Sequence, residues 1–339
     1  MQKEDIRIRH VIVHILDSTV GLPVLSDQEI EFGSDFAEFL RDHIFRIVAG
    51  DDSRDCAFYK EQSEIYRMLS AYREEDFVTF SRQAAELLYE IMNSNIEIPP
   101  ADLAVVRFRA GEGEYMALLK MNFRDSYTHR TLPLENGNFN EIIRYKATLP
   151  AQSQRLQEAA VISLQDFSVR LIEKKYEING EKTNYFSWLF LKCSSHLSHK
   201  AKLDIVTRTV ANIQKENYEE YEQYEEHMRA KSIISEEIAE NGGFVVEAIA
   251  DRIFGDEPKL RERFQEKMEQ YDMVKEEVMP KNDTTVRKYQ TQHLFTDTGI
   301  ELKIPMEQYK DSGRVEFITE PDGSVSVLLK RIGHIQAKF

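Results

Sequence analysis

Pro99-Pro-Ala-Asp-Leu-Ala-Val-Val-Arg-Phe-Arg-Ala110, Gly111-Glu-Gly113, Glu114-Tyr-Met-Ala-Leu-Leu-Lys-Met-Asn-Phe123 is the stretch on which the fold turns. Two apolar, β-prone runs around a Gly-x-Gly break predict a hairpin. With Glu112-Gly113 as its central pair, Arg107 faces Leu118 and Arg109 faces Met116, and Lys120 lies on the same side. Arg124 continues that parity. The opposite side presents Val106, Phe108, Ala117, Leu119, Met121 and Phe123. A third run, 142–149, ends at Pro150 and sets Arg144 and Lys146 against Ile143, Tyr145 and Leu149. A fourth, 167–174, sets Arg170 and Lys174 against Phe167, Val169 and Leu171. Long connections between these runs predict the middle of a sheet, with the flanking chain packed on it.

Upstream, residues 6–16 alternate and are rich in β-branched side chains, which predicts a strand with Ile6, Ile8, His10, Ile12, His14 and Leu16 on one side. Residues 28–32 read as a second strand. Ser34 opens a helix whose stripe is Phe36, Phe39, Leu40, His43, Ile44 and Ile47, and Gly50 ends it. Further helices are expected at 61–72 and 75–94, the latter with Phe77, Phe80, Ala84, Leu87, Leu88 and Ile91 in line.

Downstream, Asn179-Gly180 marks a turn and 183–194 a buried helix. Ser198 caps a helix through Ile213. Residues 216–240 carry nine acids and two bases, Arg229 and Lys231, the composition of a solvated helical face. Helices resume at 244–254 and 258–278, with Pro280 as a stop. Residues 300–304 and 315–319 are strand-like, and Pro321-Asp-Gly-Ser324 is a hairpin turn before a returning strand at 325–332. The expected class is α+β: residues 1–178 form a mixed domain around an antiparallel sheet, 179–280 a helical region and 281–339 a small β-rich unit.

The 339 residues have 42% hydrophobic and 30% charged side chains, ordinary for a globular protein. The first residues are charged and form no apolar signal core, and no run is long enough to span a membrane. Two cysteines, Cys56 and Cys193, imply no disulfide framework, which fits the cytoplasm. The net charge of −15 argues against nucleic acid if taken alone. Its distribution is uneven: residues 1–100 hold 10 basic and 20 acidic side chains, whereas 101–200 hold 14 and 11. The basic-bearing faces of the four runs can therefore form a cationic surface for phosphates, although an ordinary solvated face gives the same pattern.

Cys193-x2-His196-x2-His199 has metal-ligand spacing without a fourth group, and reads as a structural cysteine with two helix-end histidines. His10, His14 and Asp17 would serve a metal-dependent nuclease or hydrolase, but on a strand the two histidines stand roughly 13 Å apart. No phosphate loop, nucleophile elbow or dinucleotide fingerprint occurs.

One ordered set of segments runs through nearly the whole chain. It comprises His10-Val-Ile-Val-His-Ile-Leu-Asp17, Phe39-Leu-Arg-Asp-His-Ile44, Pro100-Ala-Asp-Leu103, Leu118-Leu-Lys-Met-Asn-Phe123, Leu149-Pro150 with Gln154-Arg-Leu-Gln-Glu-Ala159, and Asn184-Tyr-Phe186 with Phe190-Leu-Lys-Cys193. Together these resemble the bacterial 37-kDa nucleoid-associated protein family of the NdpA/YejK type. The resemblance implies a cytoplasmic, nucleoid-located protein that associates with DNA and has no catalytic residues to carry over.

The expected function is therefore non-catalytic, largely sequence-independent binding of double-stranded DNA, without cofactor or metal. Arg107, Arg109, Lys120, Arg124, Arg144, Lys146, Arg170 and Lys174 are the expected phosphate contacts. A homodimer is expected, with other nucleoid proteins as further partners. The alternatives are an adaptor that binds a DNA-handling enzyme through the acidic 216–240 helix, and the metal-dependent hydrolase.

Overall fold

Ala101–Ala110 (β3) and Gly113–Asn122 (β4) form the hairpin, with Gly111 at φ +59°, the left-handed region that favours glycine. The pairing Ala110↔Gly113 makes Gly111-Glu112 the central pair, so Arg107 faces Met116 and not Leu118. Each partner moves by two residues, which leaves every side chain on its expected side. The computed structural model describes residues 1–178, 180–320 and 324–336. The expected turns at Asn179 and over 321–323 fall outside the described residues. The fold is α+β, with two compact units, 1–197 and 198–339.

In the first unit the hairpin is the middle of a seven-stranded antiparallel sheet. Its other strands are Arg7–Leu16 (β1), Arg54–Phe58 (β2), Glu158–Ser163 (β7), Val169–Ile172 (β8) and Cys193–Ser195 (β11), in the order β1-β3-β4-β7-β8-β2-β11. One face carries Ile12, Leu103, Val105, Met116, Leu118 and Ile162, packed under helices Glu64–Ser70 (α2) and Phe77–Asn93 (α3). The other carries Val11, Ala104, Val106, Ala117, Leu119 and Val161, packed under Ser34–Ala49 (α1). Both faces are covered, which is why these strands are apolar on consecutive residues rather than alternating.

Several expectations change. A register shift between Ile8 and His10 inserts one residue into β1. Ile6 and Ile8 thereby join the α1 side, while Ile12 and Leu16 remain on the α3 side. Residues 28–32 form no strand; they lie along β1 through the Ile30 N–H to Val11 carbonyl bond. The 183–194 segment is a π-helix, Phe186–Leu191, followed by strand β11. Trp188 on it is 63% exposed.

The largest change concerns 142–149. Arg124–Leu134 (β5) and Gly137–Thr148 (β6) pair only with each other, in a ribbon separate from the main sheet. Its two strands span roughly 37 Å at about 3.4 Å per residue. Two short strands, Tyr176–Ile178 (β9) and Glu181–Thr183 (β10), complete this unit.

The second unit opens with His199–Asn217 (α4), whose N-cap Ser198 accepts the Ala201 N–H as expected. The acidic stretch is helix Glu220–Asn241 (α5), closed by left-handed Gly242. It is amphipathic: Met228, Ala230, Ile234 and Ile238 are buried, while Glu236 and Glu237 pair with Arg252, and Glu236 also with Lys310. Val246–Phe254 (α6), Pro258–Gln270 (α7) and Asp283–Tyr289 (α8) pack on these helices, with Phe244–Val245 (β12) paired to Glu277–Val278 (β13). The β-rich end consists of two hairpins around helix Met306–Tyr309 (α9): Thr291–Phe295 (β14) with Glu301–Pro305 (β15), and Val315–Thr319 (β16) with Val325–Leu329 (β17). No helix among the described residues is long and apolar enough to cross a membrane.

Candidate nucleic-acid interface

The eight basic residues singled out in the sequence separate into three environments. The first is the core. Lys120 has no exposed surface. Its ammonium donates to the Pro99 carbonyl at 3.1 Å and to Asn122 Oδ1, and lies 3.5 Å from Glu158 Oε2. Lys120 and Glu158 are direct cross-strand partners on β4 and β7. Burial pulls the lysine down to about 8, against the opposing pull of Glu158. In this fold Lys120 is therefore a structural cation, sealed from any phosphate, and the expectation of contact there is corrected.

The second environment is the body surface. Arg107 points to the α3 side, where its side chain is 13% exposed between Glu74 at 2.9 Å and Glu114 at 3.4 Å. Arg170 is held by Asp55 at 2.7 Å and the Gly50 carbonyl at 3.0 Å. Lys174 is exposed and lies over the Tyr176 ring, 5.2 Å from its centre. Arg109 pairs with Glu112 at 3.0 Å, and with Arg7 and Arg9 it lines an open pocket of about 360 Å³ that also holds Glu4 and Asp5. Arg7 and Arg9 escaped the sequence reading because only the β1–β3 register, Arg7 opposite Arg109, brings them there.

The third environment is the ribbon, which carries Arg124, Arg144 and Lys146. Directly paired residues share a face, and successive residues alternate. The pairs Tyr127↔Arg144 and His129↔Ile142 therefore place Arg144, Lys146, Tyr127 and His129 together, followed by Thr131 and Asn140, whereas Arg124, paired with Thr148, falls on the side of Ser126 and Thr128. The register shift between Arg124 and Ser126 sets two residues of β6, Lys146 and Ala147, opposite Asp125, whose carboxylate pairs with Arg144. All three cations are exposed. The structure thus carries three of the eight on the ribbon, Arg144 and Lys146 on one face and Arg124 on the other, and leaves the other five on the body.

His10, His14 and Asp17 do not converge. His10 contacts Glu29 at 2.9 Å and Glu74 at 3.3 Å and packs on Phe77. His14 is fully buried, accepts the Ser26 N–H at 3.1 Å, and is pushed down to about 4, first by desolvation and then by Arg82. Asp17 accepts from the Thr19 N–H and hydroxyl. Cys193 is buried on β11, whereas His199 Nδ1 accepts the Met279 N–H in the second unit. Among the described residues no three His, Cys, Asp or Glu side chains are grouped to hold a metal.

A sequence model of the family described as nucleoid-associated protein YejK matches residues 12–334. No curated protein matches the chain significantly.

Proposed function

Because the chain belongs to the YejK family of nucleoid-associated proteins, we propose that it binds double-stranded DNA directly, without catalysis, through the exposed cations of the β5–β6 ribbon. One observation carries this reading: Arg124, Arg144 and Lys146 stand exposed on a ribbon that pairs only with itself, Arg144 and Lys146 on one face, in a strongly acidic chain. A two-stranded ribbon is narrow enough to enter a DNA groove. Its hydroxyl and amide side chains, Thr131, Asn138 and Asn140, supply neutral hydrogen bonds beside the charged ones. The Asp125 carboxylate occupies Arg144 at 49% exposure, where a phosphate can replace it. Nothing here reads base identity, so binding is largely sequence-independent and depends on salt.

The test is the set of single substitutions Arg124→Gln, Arg144→Gln and Lys146→Gln, titrated onto unrelated duplexes across a salt series. Each is expected to weaken all duplexes alike and to make the log–log salt slope shallower by about one. A triple variant that binds with the parent's affinity and slope moves the contact off the ribbon. The Arg7, Arg9 and Arg109 cluster is then the next surface to substitute.

A further inference from the structure

Trp188, the chain's only tryptophan, stands 63% exposed on a π-helix whose other aromatic side chains, Phe186 and Phe190, are buried. The turn that carries it is tied down at both ends. The buried Glu173 carboxylate accepts the Ser187 N–H at 2.9 Å and its hydroxyl at 2.8 Å, and the Trp188 N–H donates to the Asn184 carbonyl at 3.0 Å. At the far end Lys192 holds φ +49°, a left-handed conformation that costs a non-glycine residue energy. Its carbonyl accepts the Tyr59 N–H at 2.9 Å, which fixes a second aromatic side chain, 41% exposed. Trp188 and Tyr59 line one open pocket of about 430 Å³, together with Lys175, Lys182 and Asn184. Both lysines are exposed, and among the described residues no Asp or Glu lines the pocket. Asn184 Oδ1 is buried and has no hydrogen-bond partner among the described residues.

We propose that this pocket binds single-stranded DNA, with unpaired bases stacked on Trp188 and Tyr59 and the phosphates between them neutralised by Lys175 and Lys182. A single strand is held by two things together: aromatic faces for its bases and cations along its backbone. The pocket supplies both, and its lining is free of the carboxylates that dominate a chain of net charge −15. The unused Asn184 Oδ1 is an acceptor for an exocyclic amino group, the donor that adenine, cytosine and guanine carry. An acidic protein segment would match the lysines but brings its carboxylates to that acceptor, not a donor. A duplex keeps its bases stacked on one another and has no free base face to offer the two rings. The site therefore goes beyond the duplex contact proposed for the ribbon, and it shares no residue with it.

Because the chain has one tryptophan, the intrinsic tryptophan fluorescence of the full-length protein reports on this pocket alone. Titration with a short oligodeoxycytidine at neutral pH is expected to quench it, and a blunt duplex of the same length is expected to leave it unchanged. Trp188→Ala, followed by the anisotropy of a labelled oligomer, is expected to bind roughly ten- to a hundredfold more weakly, with Trp188→Phe in between. Lys175→Gln and Lys182→Gln, at exposed positions, should each make the log–log salt slope for the single strand shallower by about 0.7. These two variants keep the test independent of how the tryptophan variants fold. Lys146→Gln on the ribbon is expected to leave the quenching as in the parent, so failure of the ribbon contact and failure of this site are read separately. Absence of quenching, equal quenching by the duplex, a Trp188→Ala chain that binds the oligomer like the parent, or an unchanged slope in both lysine variants each overturns the proposal, and the exposed rings then belong to a protein partner.

Discussion

His43 sits on the inner face of α1, 1% exposed, edge-on to Phe39 with ring centres 4.6 Å apart. Neither ring nitrogen has a hydrogen-bond partner. Burial, helped by Arg46, pushes the imidazole down to about 4 from 6.5. Between those values the unfolded chain binds a proton that the folded chain refuses, so stability is lost as pH falls from 6.5 towards 4. At most this amounts to roughly 3 kcal/mol for this one residue, and His14 adds a loss of the same sign. His43→Leu removes the titration and two unsatisfied nitrogens. We expect a variant as stable as the parent at neutral pH and visibly more stable near pH 4.5, measured by urea unfolding at both values. An unchanged difference between the two pH values would contradict the assignment. The helical stripe from Phe36 to Ile47 made the position of His43 legible in the sequence. Lys120 was not legible. Parity aligned it with Arg107, but its burial follows from Glu158, a cross-strand partner 38 residues away on a strand that no local pattern announced.

At the scale of elements, the central hairpin and the three helices of the first unit could be read because each carries its own periodic pattern and punctuation. Strands β2 and β7 could not: Arg54–Phe58 and Glu158–Ser163 are short, and only the pairing Cys56↔Val169 and the insertion of β7 between β4 and β8 explain them. The ribbon failed differently. The alternation of Ile143 and Tyr145 against Arg144 and Lys146 is correct, although Leu149 lies past the strand and the bulge, but an apolar face reads the same whether it meets the chain's own core or solvent. β5, with Ser126, Thr128, Arg130, Thr131 and Pro133, reads as a loop. Because the ribbon contributes nothing to the two cores of its unit, replacing residues 126–146 by a short Gly-Ser loop should leave the body folded. We expect the first thermal transition to move by no more than about 4 °C, equivalent to roughly 1 kcal/mol for a unit of this size. Collapse of the body in that variant would mean that the ribbon helps to hold β4 against β7.

At the scale of the whole molecule, charge decides how the ribbon can hold DNA. The acidic remainder of the chain adds no diffuse attraction for DNA, so a duplex is held by the three exposed cations of the ribbon alone. The salt slope should then be near −3, from about −0.9 per phosphate contact. Arg144→Gln and Lys146→Gln should each make it shallower by about one on every duplex, and the double variant should be left near −1. The measurement is binding to unrelated duplexes across a salt series. A parent slope near −6 would add the Arg7, Arg9 and Arg109 cluster to the contact and contradict a ribbon that acts alone.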